Sequence, residues 1–224
     1  MKVALITGST SGIGLQIGQD LIKKGCFVYF NGRHDFKTPK NSKFIKADLS
    51  CFDSIELFNS IKSLDYLILN VGITDRTPFG NIAYEEWNKV FQTNLTFPFF
   101  LVQMFKDKIN KNGRIIFISS ISGIVPDSVS ISYGVSKAAI NMLVPYLAKE
   151  FASKKITVNA IAPGYTETPW HQNKPKDQKK RIADKCLAKR FGSVKEISQA
   201  VQMIIENSFI DGQVIRVDGG FGLV

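Results

Sequence analysis

Short runs of apolar, often β-branched residues alternate with longer segments of helical period from one end of the chain to the other. The runs at Val3–Thr7, Phe27–Asn31, Phe44–Lys46, Tyr66–Asn70, Arg114–Ser119, Thr157–Ile161 and Val214–Val217 read as strands, many of them buried on both faces. Segments at Gly12–Lys24, Phe52–Ser63, Tyr84–Asn110, Tyr133–Ser153 and Lys195–Glu206 lie between most of them and read as helices. This alternation predicts an α/β protein with a single Rossmann-fold domain: a doubly wound, seven-stranded parallel sheet carrying helices on both faces. No linker or internal repeat divides residues 1–224, so one domain is expected throughout. One crossover is irregular. His34 to Lys43 carries Pro39 and no apolar period, so a loop is expected where a helix is usual.

Composition changes this picture little. At 224 residues with 44% hydrophobic, the chain is long and apolar enough to bury a core. Cys26, Cys51 and Cys186 are scattered and lack metal spacing, and His34 and His171 are the only histidines, so no metal site is expected. The opening apolar run stops at Thr7-Gly8-Ser9, short of a secretory core, and no stretch approaches the roughly 18 residues of a membrane span. A soluble, cytoplasmic protein with no membrane contact is the expectation. The net charge of +10 is concentrated between Lys174 and Lys195. It reads either as a solvated lysine-rich face or as a surface for an acidic partner, and no basic motif interleaved with aromatics points to nucleic acid.

The first strand runs directly into Thr7-Gly8-Ser9-Thr10-Ser11-Gly12-Ile13-Gly14 and then a helix. A glycine-rich turn between a strand's carboxyl end and a helix amino terminus lets backbone N–H groups approach a pyrophosphate, with the helix dipole adding attraction. Gly8, Gly12 and Gly14 supply positions free of a Cβ clash. Arg33 follows the second strand, where an acidic residue would hydrogen-bond a ribose 2′-hydroxyl. An arginine there pairs a 2′-phosphate instead, which favours NADP(H) while leaving NAD(H) possible. Farther along, Tyr133 and Lys137 stand four residues apart and share a helix face.

Thr-Gly-x-x-x-Gly-Ile-Gly at this place resembles the short-chain dehydrogenase/reductase family, and the resemblance extends along the whole chain. Asp48-Leu49 stands where that family contacts adenine. Asn70-Val71-Gly72 resembles its Asn-Ala-Gly motif, and Pro163-Gly164-Tyr165-Thr166-Glu167-Thr168 resembles its Pro-Gly-x-x-x-Thr. Gly8, Ser11, Gly12, Ile13, Gly14, Arg33, Asp48, Leu49, Asn70, Gly72, Pro163, Gly164, Thr166 and Thr168, with Tyr133 and Lys137, are accordingly the expected cofactor contacts. The resemblance also implies a catalytic set of Asn94, Ser120, Tyr133 and Lys137: Ser120 rather than Ser119 orients the substrate carbonyl, and Asn94 holds a water in a proton relay. A tyrosine with a pKa near 10 is a weak acid for carbonyl reduction, and the Lys137 ammonium is expected to lower it.

Within the family the carboxyl-terminal segment, Arg190-Phe191-Gly192 through Asp218-Gly219-Gly220-Phe221, is most similar to bacterial 3-oxoacyl-acyl-carrier-protein reductases of fatty acid biosynthesis. That implies reduction of a 3-oxoacyl thioester and docking of an acidic acyl carrier protein at Lys111 and Lys154. Reduction of another small ketone, sugar or hydroxyacyl thioester is the alternative, and a nucleotide-sensing or RNA-binding protein on the same fold is a third. Between Glu167 and Arg190 the family places a mobile cover over the substrate, where Trp170 and His171 either shape the pocket or lie on the surface. Phe97, Phe99, Phe100, Leu101 and Phe105 make one helix apolar on more than one face, as suits a homodimer or homotetramer interface or a buried helix.

Overall fold

The computed structural model describes residues 1–126 and 130–223. Seven strands form one sheet: β1 (Val3–Ile6), β2 (Phe27–Gly32), β3 (Ser42–Lys46), β4 (Leu64–Leu69), β5 (Ile109–Ile118), β6 (Thr157–Pro163) and β7 (Val214–Val217). Their order is 3-2-1-4-5-6-7 and every pair is parallel. Alternate residues of the inner strands serve opposite faces. Leu5, Leu67, Leu69, Ile115 and Phe117 point to one core, against α3 (Phe97–Phe105) and α4 (Ile131–Phe151). Ile6, Ile68, Ile116 and Ile118 point to the other, against α1 (Gly12–Lys23) and α6 (Val194–Glu206). Strand order reverses direction between β1 and β4, and their carboxyl ends open the crevice characteristic of this topology.

The connection from β2 to β3 has no helix. Phe36 covers the gap, its ring centroid 5.4 Å from that of Phe30 and 5.8 Å from that of Phe44. Three elements differ from the sequence expectation. Residues 84–110 are not one α-helix: α2 (Tyr84–Phe91) passes through a π turn at Gln92–Thr96 into α3, and β5 already begins at Ile109. Pro98 has no N–H for the carbonyl of Asn94, so the ordinary α register fails there and the wider π turn takes its place. Phe52–Phe58 is a 3₁₀ helix rather than an α-helix reaching Ser63. Lys176–Ala183 forms α5, a helix whose strongly polar sequence gives no apolar stripe to read.

Of the five apolar residues that the sequence singles out in the phenylalanine-rich helix, Phe97, Leu101 and Phe105 are fully buried against the sheet. Phe100 faces outward beside Phe52, with ring centroids 5.2 Å apart. Among the described residues no helix is long and apolar enough to cross a membrane.

Candidate active site

A cleft of about 1020 Å³ runs along the carboxyl ends of the strands, from the glycine loop to the turn at Pro169–His171. At its first end Gly8 adopts a φ of +58°, and a Cβ there would lie 2.9 Å from the Cα of Val71. Gly14 lies beneath the loop, where a Cβ would meet the Asn70 side-chain nitrogen at 2.5 Å. Ser11, Gly12 and Ile13 line the cleft, and Gly12 faces Thr168 across it.

The loop is held by Asn31 and Ser9, which sequence reading passed over, and by Asn70. Asn31 is buried at the end of β2. Its Oδ1 accepts from the Gly8 N–H at 3.1 Å, while its Nδ2 donates to the carbonyls of Ile45 and Ala47. Ser9 donates to the Ile6 carbonyl and accepts from the Asn31 N–H. From the β4 side, Asn70 Nδ2 donates to the carbonyls of Thr7 and Gly8 at 3.1 and 2.7 Å. The available signal was a polar residue closing an apolar strand, since a buried amide there must find partners.

Arg33 is exposed at the cleft's edge, beside Asp48 and Leu49. Burial pushes the Asp48 carboxyl up, but the amide and hydroxyl of Ser50, with Arg33 and Lys89 nearby, hold it below its ordinary value. On the far wall, Pro163, Gly164, Thr166 and Thr168 follow β6. Thr166 pairs with Gly192 in a short parallel bridge, which anchors the segment leading to α5.

The other end of the cleft gathers Ser120, Tyr133 and Lys137. The Ser130 hydroxyl caps α4 and accepts from the Tyr133 N–H, so the helix begins with Tyr133 in its first turn. Lys137 follows one turn later, buried, with Nζ donating to the Ile118 carbonyl at 2.8 Å and lying 5.7 Å from the Tyr133 ring centroid. The two serines separate by partner. Ser119 donates to the Asn141 side chain at 2.6 Å and lies 3.3 Å from the Lys137 carbonyl, whereas Ser120 hydrogen-bonds the Tyr133 side chain and accepts from the Ser122 N–H.

Burial pushes the Tyr133 phenol above its ordinary pKa, and its hydrogen bond with Ser120 pulls it back only in part. Burial therefore sets the direction of the shift, which corrects the expectation of a phenol lowered below its ordinary value. Burial disfavours charge on both groups and brings Lys137 itself down to about 8.

Asn94 does not line the cleft. It is buried in the π turn, its amide accepting from the Ile73 N–H at 2.8 Å and donating to the Ile73 carbonyl and the Ser136 hydroxyl, each at 3.0 Å. Ser136 in turn donates to the Tyr133 carbonyl. Trp170 and His171 both line the cleft. Trp170 lies over Tyr133 with ring centroids 6.2 Å apart, and His171 packs among Tyr165 and Phe191. Away from the cleft, Lys111 is exposed on β5, while Lys154 already pairs with Asp107 at 2.7 Å and donates to the Lys106 carbonyl.

A strand, a loop in which Gly8 and Gly12 take positive φ, and a helix amino terminus facing a basic cleft fit a dinucleotide's pyrophosphate. The short chain dehydrogenase family matches residues 2–179. This chain belongs to that family, and it is an NAD(P)-dependent oxidoreductase. The 3-oxoacyl-[acyl-carrier-protein] reductase of Aquifex aeolicus is 32% identical over 239 residues, covering 98% of this chain and 96% of that protein. A short chain dehydrogenase family protein of Francisella tularensis superposes with a TM-score of 0.92 at 25% identity, over all of both chains. A 4-hydroxyisoleucine dehydrogenase complexed with NADH also gives 0.92, at 27% identity and the same coverage.

Proposed function

We propose that this protein is an NADP(H)-dependent, cytoplasmic reductase that converts the ketone of a 3-oxoacyl thioester to a secondary alcohol, as a homodimer or homotetramer. The reading rests on the convergence of Ser120, Tyr133 and Lys137 in one cleft with a glycine-rich phosphate cradle, and on likeness to 3-oxoacyl-acyl-carrier-protein reductases. Arg33, standing after β2 where an acidic residue would read the ribose 2′-hydroxyl, supports the preference for a 2′-phosphate. Gly8, Ser11, Gly12 and Ile13 would hold the pyrophosphate, Gly14 would keep that loop close, Asp48 and Leu49 would border the adenine, and Asn70, Gly72, Pro163, Gly164, Thr166 and Thr168 would line the nicotinamide side. The outward face around Phe100, with Met142 and Tyr146 exposed on α4, supports an assembly through those helices.

A nicotinamide cofactor held in this cleft would supply the hydride for the carbonyl carbon. Ser120 holds the carbonyl oxygen by hydrogen bond, and Tyr133 delivers its phenolic proton to that oxygen as negative charge develops there. A phenol raised by burial is fully protonated at neutral pH, so the acid is loaded before the reaction. The phenolate left behind is then the costly species in a buried site, and the ammonium of Lys137 stabilises it. Asn94 and Ser136 act from beneath by fixing the Ile73 backbone and the first turn of α4. The deciding experiment is a screen following reduced-cofactor oxidation with acetoacetyl thioesters and simple ketones, with both cofactors. Turnover of the thioester with NADPH is the expected result, and failure on every carbonyl would overturn the assignment.

A further inference from the structure

The cleft is more positive than carbonyl reduction requires. Six lysines and arginines line the cleft, Arg33, Arg76, Lys89, Lys137, Lys174 and Lys185, against two acidic residues, Asp48 and Glu86. Arg33 and Lys137 have roles in the reading above. Arg76 and Lys174 do not. Arg76 stands on the segment after β4, three residues beyond Ile73, whose backbone Asn94 clamps. Lys174 lines the same cleft from the segment after His171, between Trp170 and α5.

Two cations converging in a cleft repel each other, and repulsion in a partly desolvated place needs compensation. Burial lowers the Lys174 pKa and the neighbouring Arg76 lowers it further, so the two are near enough to interact. Glu167 pairs with Lys179 at 2.9 Å, and Asp75, which does not line the cleft, accepts from the amide and hydroxyl of Thr77 through Oδ1 while its Oδ2 is buried without a partner. Asp48 is hydrogen-bonded to Ser50. No carboxylate pairs with Arg76 or Lys174 among the described residues.

We propose that Arg76 and Lys174 form an anion subsite for the carbonyl substrate, holding a carboxylate or a phosphate while the ketone lies under Trp170 against Ser120 and Tyr133. The subsite rests on the carbonyl-reductase reading and narrows it: the substrate is a small oxo acid, or a thioester whose pantetheine arm carries a phosphate. An arginine presents a planar fork to two oxygens and a lysine adds a mobile point charge, a combination that suits either oxyanion.

The test compares substrates that differ in one charge. Acetoacetate against methyl acetoacetate isolates a carboxylate, and acetoacetyl-4′-phosphopantetheine against acetoacetyl-pantetheine isolates a phosphate. In the native enzyme kcat/KM is expected to favour the charged member of one pair at least tenfold, and the pair that responds identifies the source. In the Arg76→Ala, Lys174→Ala double variant that ratio is expected to collapse toward one. A native ratio near one for both pairs, or a ratio that the double variant preserves, overturns the subsite. Binding is read without turnover by titrating malonate and inorganic phosphate against Trp170 fluorescence in a Trp87→Phe background, Trp87 being the only other tryptophan. Saturable quenching weakened tenfold by the double variant, in a protein that reduces no carbonyl, upholds the subsite and overturns the reductase reading. Turnover without anion discrimination or quenching does the reverse.

Discussion

Lys137 lies one helical turn beyond Tyr133, its Nζ 5.7 Å from the tyrosine ring centroid, and donates to the Ile118 carbonyl from a site that lowers its pKa to about 8. A lysine buried this way costs the fold free energy wherever the unfolded chain would hold the proton more readily. Its pKa is about 8 folded and 10.5 unfolded, so the unfolded state binds more protons between those values. Stability therefore rises with pH across that window, and below about 8 the whole penalty is present.

Replacing Lys137 by methionine, similar in length and uncharged, is expected to raise stability at neutral pH. The gain is on the order of 1–3 kcal/mol, after subtracting the hydrogen bond to Ile118. The same change should nearly abolish turnover. Denaturant melts at pH 7 and pH 10 check it: the variant's advantage should shrink at the higher pH, and a variant less stable than the parent at pH 7 would show that Lys137 is structural.

Tyr133→Phe deletes one hydroxyl and keeps the ring against Trp170. Turnover should fall by about 10²- to 10⁴-fold, the usual range for a general acid, with cofactor affinity and melting temperature close to the parent's. Parent-like turnover in a folded variant would remove Tyr133 from the chemistry and favour a nucleotide-sensing role.

Much of this site was legible because its parts are continuous in sequence. The loop from Thr7 to Gly14 is a strand end, a turn and a helix start, and Tyr133 and Lys137 share one helix, so local pattern sufficed. The clamp of Asn31 on Gly8 joins residues 23 apart in sequence, and only the pairing of β2 with β1 brings them together. Arg76 and Lys174 line the same cleft from two loops with no period to read. The π turn escaped because Pro98 breaks a backbone register without disturbing the apolar pattern, and α5 escaped because its eight residues hold only Ile182 and Ala183 as apolar positions.

Arg33 is exposed at the adenine end of the cleft, where a charged hydrogen bond to a 2′-phosphate would be only partly desolvated. Arg33→Ala should weaken NADPH binding by about 1.5–3 kcal/mol, tenfold or more, and leave NADH affinity nearly unchanged. Titration of both cofactors against both proteins checks this. A parent that binds the two equally removes the preference, and a variant that keeps its preference moves the phosphate anchor to another cation such as Lys89.

His171 gives the cleft a pH limit that a surface histidine would not. Its ring packs 5.4 Å from Tyr165 and 5.7 Å from Phe191, and its Nδ1 is buried without a hydrogen-bond partner. Burial, reinforced by Lys174 and Arg76, lowers its pKa from 6.5 to about 4. The folded state holds the ring neutral while the unfolded chain takes up a proton, so the unfolded state binds more protons between those two values. Stability of this segment should therefore fall as pH drops through 6.5, with the loss complete near 4. Because the segment carries Trp170 over Tyr133, loosening shows first as a rise in KM between pH 6.5 and 5, before the sheet melts. His171→Phe keeps an aromatic ring among Tyr165 and Phe191 and removes the titration, so its KM should stay flat over that range. Hydrogen exchange of residues 165–192 at pH 7 and pH 5 distinguishes the causes: faster exchange at pH 5 in the parent but not in His171→Phe is the expected result. Equal acceleration in both would assign the acid sensitivity to another group.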